Sequence, residues 1–194
     1  MLRVIFRNSD FRFYRESFFD LLCEKHQVKF VFRHCLTQNK YESISIGNDK
    51  STFWSDPNFL IAYANWLFSK FDVFVTSLPT HPISLVGTII SKLRRRGVVY
   101  WIEGWNEPKG KGSKILVKRL YYKYVLKLAD SYFVTSTKAE EFIVTFTKTD
   151  RSRIFKSLQA NLDLSVYEPI YPEINLPKDY LVFLYFGRII KLKG

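Results

Sequence analysis

Arg188 and Lys193 stand five residues apart in Gly187-Arg-Ile-Ile-Lys-Leu-Lys-Gly194, directly after the apolar run Leu181–Phe186. A strand, a glycine turn and two cations at the start of a helix form an arrangement that grips a diphosphate. Arg offers a planar fork and Lys a compact charge. The same spacing also suits a solvated basic turn. A second constellation is Trp101-Ile-Glu103-Gly-Trp105. It puts a carboxylate at the C-terminal end of a central strand, where open α/β sheets bind ligands. Glu103 could accept hydroxyl hydrogen bonds there, or bond to backbone with both tryptophans in the core. Asn8 and Ser9 follow the first strand, and His81 lies in Ser77-Leu-Pro-Thr-His-Pro82. These three are possible cleft residues, although Asn8 equally suits a helix cap. His26, His34 and His81 show no ligand-like spacing with cysteines or acids, so no metal or other cofactor is expected.

The elements that must position these residues follow from patterning. Short runs rich in Val, Ile, Phe and Tyr predict strands at Arg3–Phe6, Lys29–Phe32, Val73–Thr76, Val98–Ile102, Tyr132–Val134 and Leu181–Phe186. Most lack strict alternation, as in a parallel sheet covered on both faces. Helical spacing falls between them, at Tyr14–Lys25, Asn58–Ser69, Ile83–Arg96, Lys114–Ala129 and Ala139–Phe146. Gly97 is read as the residue that ends the third of these helices. Strand alternating with helix predicts an α/β, Rossmann-like, doubly wound parallel sheet with helices on both faces. Residues 1–160 form this domain, the proline-bearing stretch 161–180 a linker, and 181–194 the severed start of a second domain.

Tyr185-Phe-Gly-Arg-Ile-Ile-Lys-Leu-Lys-Gly194 resembles the start of the C-terminal domain of GT-B fold glycosyltransferases, especially the retaining family four. Leu158-Gln-Ala-Asn-Leu-Asp163, with Tyr167 and Pro169 after it, resembles the family's N-G-V-D segment, Asn161 standing for the glycine. Asp130–Ser136 with Thr137-Lys-Ala139 resembles its preceding strand, serine turn and helix. The resemblance implies half of a GT-B fold, with Arg188 and Lys193 on the diphosphate of a nucleotide-sugar donor. It implies transfer of the sugar with retention to a sugar or lipid-linked acceptor, and a fragment inactive alone. The family's glycine pair after the first strand is replaced by Arg7–Arg12, and its cleft histidine by Glu103. Glu103 is then the acceptor-side catalytic candidate, with Trp105 beside it for sugar C–H surfaces. The metal-binding D-x-D motif of the other major glycosyltransferase fold is absent.

The 194 residues carry 30 Lys plus Arg against 18 Asp plus Glu, a net charge of +12. Residues 91–127 hold eleven cations and two acids, so +9 of that total is concentrated there. On a helical wheel of the fourth helix, Val117, Leu120, Tyr121, Tyr124, Val125 and Leu128 read as the core stripe. Lys114, Lys118, Arg119, Tyr122, Lys123 and Leu126 read as an outer face suited to an anionic membrane. Val86, Ile89, Ile90 and Leu93 read as the buried stripe of the helix before it, and Phe18, Leu21 and Leu22 as core on the first. No signal peptide or spanning helix is present, so membrane contact would be peripheral, at the inner face, and the setting cytoplasmic. Cys23 and Cys35 cannot build a disulfide framework. No nucleic-acid motif accompanies the charge, so nucleic acid ranks below membrane as a partner. The competing function class is a non-catalytic Rossmann-like module that docks on anionic membrane or nucleic acid.

Overall fold

The computed structural model of the protein describes residues 1–8, 16–32, 41–45, 56–103 and 112–156, all within the compact unit Met1–Leu162. In chain order the elements are β1 (Arg3–Arg7), α1 (Glu16–Lys25), β2 (Gln27–Phe32), β3 (Ser43–Ser45), α2 (Pro57–Phe68), β4 (Val73–Thr76), α3 (Pro82–Leu93), β5 (Gly97–Ile102), α4 (Ser113–Lys127), β6 (Ser131–Val134), α5 (Thr137–Thr147) and β7 (Ile154–Lys156). The strands form one sheet in the order β3-β2-β1-β4-β5-β6-β7. Every pairing is parallel. The expected α/β, Rossmann-like, doubly wound sheet is therefore present. β3 and β7 were not foreseen: three residues each are too short to show a hydrophobic period. The expected strand Leu181–Phe186, the linker and the 181–194 segment lie outside the described residues.

Register explains how the faces are covered. Phe6 pairs with Phe30 and Val75, and Trp101 with Phe133, so these side chains share one face. There α1 supplies Phe18, Phe19 and Leu22 to an aromatic cluster. Phe6 lies edge-on to Phe19 and Trp101, each at 5.7 Å. Ile5 pairs with Phe74 and Phe74 with Val98, which places them on the other face. α2 and α3 cover that face with Phe59, Tyr63, Leu67 and Ile83. α4 and α5 continue the cover with Leu126, Ala139 and Ile143 over Tyr100 and Tyr132. Buried tyrosine hydroxyls find partners as burial requires. Tyr63 Oη donates to the Ile83 carbonyl at 3.0 Å, and Tyr132 Oη to the Leu126 carbonyl at 2.6 Å.

Local chemistry sets the helix ends. Asp56 accepts from the Phe59 amide at 3.1 Å ahead of Pro57, and Ser136 accepts from the Ala139 amide at 3.1 Å. Gly112 opens α4 at φ 115°, a backbone conformation that side chains oppose. The end of α3 corrects the reading of Gly97. Arg96 N–H donates to Ser91 and Arg95 N–H to Lys92, so Arg95, at φ 55°, holds the left-handed position. Gly97 instead begins β5. Arg95→Gly should therefore raise stability by about 0.5–1 kcal/mol, because glycine enters this region without steric cost. A higher thermal midpoint checks this, and an unchanged or lower one contradicts it.

Two helices turn faces other than those expected toward the sheet. In α3 the buried residues are Ile83, Ser84, Gly87, Thr88 and Ser91, with Ile90 partly buried, while Val86, Ile89 and Leu93 are exposed. Small residues let this helix approach the sheet, and hydroxyls satisfy one another there: Thr76 Oγ1 donates to Ser84 Oγ at 2.9 Å. In α4 the buried residues are Val125 and Leu126, and Val117, Leu120, Tyr121 and Tyr124 are exposed. That reverses the expected core stripe, apart from Val125 and half-buried Leu128. Leu21 of α1 is also exposed, and Phe19 takes its place in the core.

One ion pair ties two strand starts together. Arg3 Nη2 meets Asp72 Oδ1 at 2.8 Å, and Arg3 N–H donates to Asp72 Oδ2 at 2.9 Å. The Arg3 side-chain hydrogen bonds, then its backbone N–H, hold the Asp72 carboxyl down at about 2. A depressed carboxyl stabilises the fold above its unfolded pKa of about 4, and that stability is lost as pH falls through about 2. Asp72→Asn should thus lower the thermal midpoint at pH 5, and the gap to wild type should close between about pH 4 and 2. A gap that stays constant with pH contradicts the linkage.

Candidate functional site

The strand order reverses between β1 and β4, because the chain winds outward through β2 and β3 and returns to β4. Crevices at such a reversal, beyond the strand C-termini, are where open α/β sheets bind ligands. Asn8 leaves β1 here and is fully buried. Its N–H donates to the Val31 carbonyl at 3.0 Å, and its Oδ1 accepts from Ser77 Oγ at 2.7 Å. Ser77 N–H in turn donates to the Arg7 carbonyl at 3.1 Å. These bonds lock the β1 and β4 ends together, so Asn8 acts as a crosslink between the strand ends.

Glu103 follows β5 and is half-buried. It lines a cavity of about 170 Å³ together with Ser77, Leu78, Pro79, Thr80, Ile102, Tyr122, Leu126 and Phe142. That volume is below the range of drug-sized pockets and suits one small ring. The β4–α3 loop forms one wall and is held in shape: Leu78 N–H donates to Thr76 Oγ1 at 3.2 Å, and His81 N–H to the Leu78 carbonyl at 3.0 Å. Tyr121 Oη donates to the Thr80 carbonyl at 3.1 Å and ties α4 to the same loop. A carboxylate, two alcohols and two aromatic rings around a ring-sized space can orient a hydroxylated ring.

The expected site residues divide into three groups. Glu103 lies at this cavity, and Asn8 lies at the neighbouring strand end, bonded to Ser77. His81 is the cap residue of α3, half-buried, and makes no side-chain capping bond. Ser9, Trp105, Arg188 and Lys193 lie outside the described residues. Trp101 is 2% exposed among Phe6, Phe18 and Phe133, so it serves the core. Among the described residues, the aromatic lining of the cavity comes from Tyr122 and Phe142. Leu126, at 3% exposure, and half-buried Tyr122 do not face a membrane. Lys114, Lys118 and Arg119 are exposed and Lys123 is half-buried. A phenylalanine four residues before a second one on a helix gives no sequence signal for a cavity wall, which is why Phe142 was missed.

A larger groove of about 710 Å³ runs between α4 and α5. It is lined by Leu116, Arg119, Leu120, Lys123, Phe142 and Phe146 among others. Among the described residues, no three His, Cys, Asp or Glu gather as metal ligands, and no helix is long and apolar enough to cross a membrane.

Solved structures share this architecture. HepE from Anabaena, crystallised with UDP and glucose, matches with a TM-score of 0.56 at 13% identity, over 86% of this chain and 46% of its own. The same protein crystallised with UDP gives 0.57 at 12%, over 84% and 45%. A UDP-N-acetylglucosamine 2-epimerase gives 0.50 at 12%, over 80% and 48%. The likeness is one of fold. The chain spans less than half the length of these neighbours. No family model and no curated protein matches the sequence.

Proposed function

We propose that this chain is the acceptor-side half of a GT-B enzyme acting on nucleotide-activated sugars, and within that class of a retaining glycosyltransferase. The observation that carries the reading is the ring-sized cavity beyond the C-terminal ends of β4 and β5, one strand along from the sheet's reversal point, lined by Glu103, Ser77, Thr80, Tyr122 and Phe142. Alcohol groups of a sugar suit the carboxylate, and its C–H faces suit the rings. Neighbours of this fold were crystallised with UDP, so UDP-sugars are the first donors to try. In the reaction, the bond from the sugar's anomeric carbon to the diphosphate oxygen breaks, and that oxygen leaves with the electron pair. The acceptor hydroxyl bonds to the same carbon and gives its proton to the departing diphosphate oxygen. Arg188 and Lys193 would hold the departing diphosphate electrostatically, and Glu103 would orient the acceptor hydroxyl.

The test is release of UDP from UDP-glucose by the protein that carries this chain, with and without sugar or lipid-linked acceptors. Acceptor-dependent release is the expected result. Interconversion of the sugar without acceptor would replace transfer by epimerisation. Failure to bind any nucleotide-sugar would remove the whole reading and favour a non-catalytic module.

A further inference from the structure

The outer side of α4 is the least expected surface of the molecule. Leu116, Val117, Leu120 and Tyr124 are 58%, 66%, 45% and 67% exposed. At 100° per residue they form a single stripe along the side opposite Val125 and Leu126. Cations border it on both sides: Lys114 and Lys118 along one edge, and along the other Arg119 and Lys123, which share the α4–α5 groove with Leu116, Leu120 and Glu141, with Lys127 at the end. No acidic residue occurs anywhere in Ser113–Lys127. The adjoining crossover helix, α3, covers the same sheet face and exposes Val86, Ile89 and Leu93.

An apolar stripe between two rows of cations requires a partner that is hydrocarbon in the middle and anionic on either side. A second copy of this chain does not qualify, because its matching face brings cations onto cations. Nucleic acid supplies the anions but offers Leu116, Val117 and Leu120 nothing apolar to enter. A bilayer supplies both at once: acyl chains below the stripe and phosphates level with the ammonium and guanidinium groups, which reach outward on their long stems.

We propose that the outer face of α4 docks the protein flat on a bilayer surface rich in anionic phospholipid. The inference is independent of the sugar-nucleotide reading, since it uses none of the cavity's residues. It does give that cavity an orientation. The inner side of α4 supplies Tyr122 and Leu126 to the cavity wall, and Tyr121 binds the loop at Thr80. One helix therefore separates the proposed membrane surface from the cavity, a short path for an amphiphilic acceptor.

Vesicle flotation of the full chain tests this directly. With equal parts phosphatidylglycerol and phosphatidylcholine, the protein should partition at least about tenfold better than with phosphatidylcholine alone. Lys114→Gln with Lys127→Gln should lower partitioning roughly 30-fold. Leu120→Ser with Tyr124→Ser should lower it at least about tenfold at unchanged charge. Leu21→Ser, an equally exposed leucine on the opposite sheet face, should leave it unchanged. Because all five positions are exposed or lie outside the core, circular dichroism melts should superimpose on wild type. Three results would overturn the proposal. One is absence of flotation with anionic vesicles. Another is a Leu21→Ser loss equal to that of the α4 pair. The third is tight binding of single-stranded RNA that anionic vesicles do not displace.

Discussion

Gly87→Val should destabilise the protein by more than about 3 kcal/mol, a large share of the about 5–15 kcal/mol that holds an ordinary domain folded. A Cβ built at Gly87 falls 2.4 Å from Phe74 Cζ and 2.4 Å from Tyr63 Oη. Neither neighbour can step aside. Phe74 is completely buried in β4, and Tyr63, 3% exposed, is fixed by its bond to the Ile83 carbonyl. Helix propensity acts in the opposite direction, because glycine inside a helix costs about 1 kcal/mol relative to alanine. Even Gly87→Ala should therefore lose stability, by about 1–2 kcal/mol net of that gain. Gly97→Ala is the matched comparison, since its Cβ would meet nothing closer than Val73 Cγ2 at 3.5 Å. Denaturant melts of the three variants decide the matter. Wild-type stability in Gly87→Ala would mean that α3 sits further from the sheet than these contacts require.

Glu103→Gln should reduce kcat about 100-fold while leaving the donor KM within a few-fold of wild type. The substitution keeps shape and replaces a carboxylate by an amide, so it removes one charge and one strong hydroxyl acceptor. If Glu103 holds the acceptor hydroxyl in line with the anomeric carbon, the loss belongs to the transition state and appears in kcat. A purely structural Glu103 would instead shift the melting midpoint and leave turnover within about threefold. Release of UDP under saturating donor, paired with a thermal melt of the same variant, separates the two outcomes. Turnover near wild type would remove Glu103 from the mechanism without touching the fold.

Much of this architecture was legible in the residues alone. Val73–Thr76 is a strand with the same bounds in both readings, and the five expected helices between 14 and 146 all occur within a few residues of their bounds. Buried parallel strands are continuous apolar runs, and a run survives any uncertainty about which face it presents. Glu103 was legible for a related reason: its place after a central strand depends on chain order and not on side-chain direction.

Side-chain direction is what the sequence by itself left open. α4 carries apolar residues around most of its circumference, so a wheel offers two stripes and no means of choosing between them. Only packing against Tyr100 and Tyr132 decides that Leu126 faces inward and Leu120 outward. α3 misled for the opposite reason. Its most apolar stripe is exposed, and its small and hydroxyl residues are buried, because a close helix–sheet approach leaves no room for larger ones. Trp101 shows the same limit at the site itself, its ring going into the core while Tyr122 and Phe142 arrive from helices far along the chain. The sequence by itself determined the order of strands and helices and the carboxylate at the end of β5, because these are properties of local runs. Which face each helix buries, and hence what walls the cavity and what meets the solvent, was decided by tertiary packing, because burial is settled between elements and not within one.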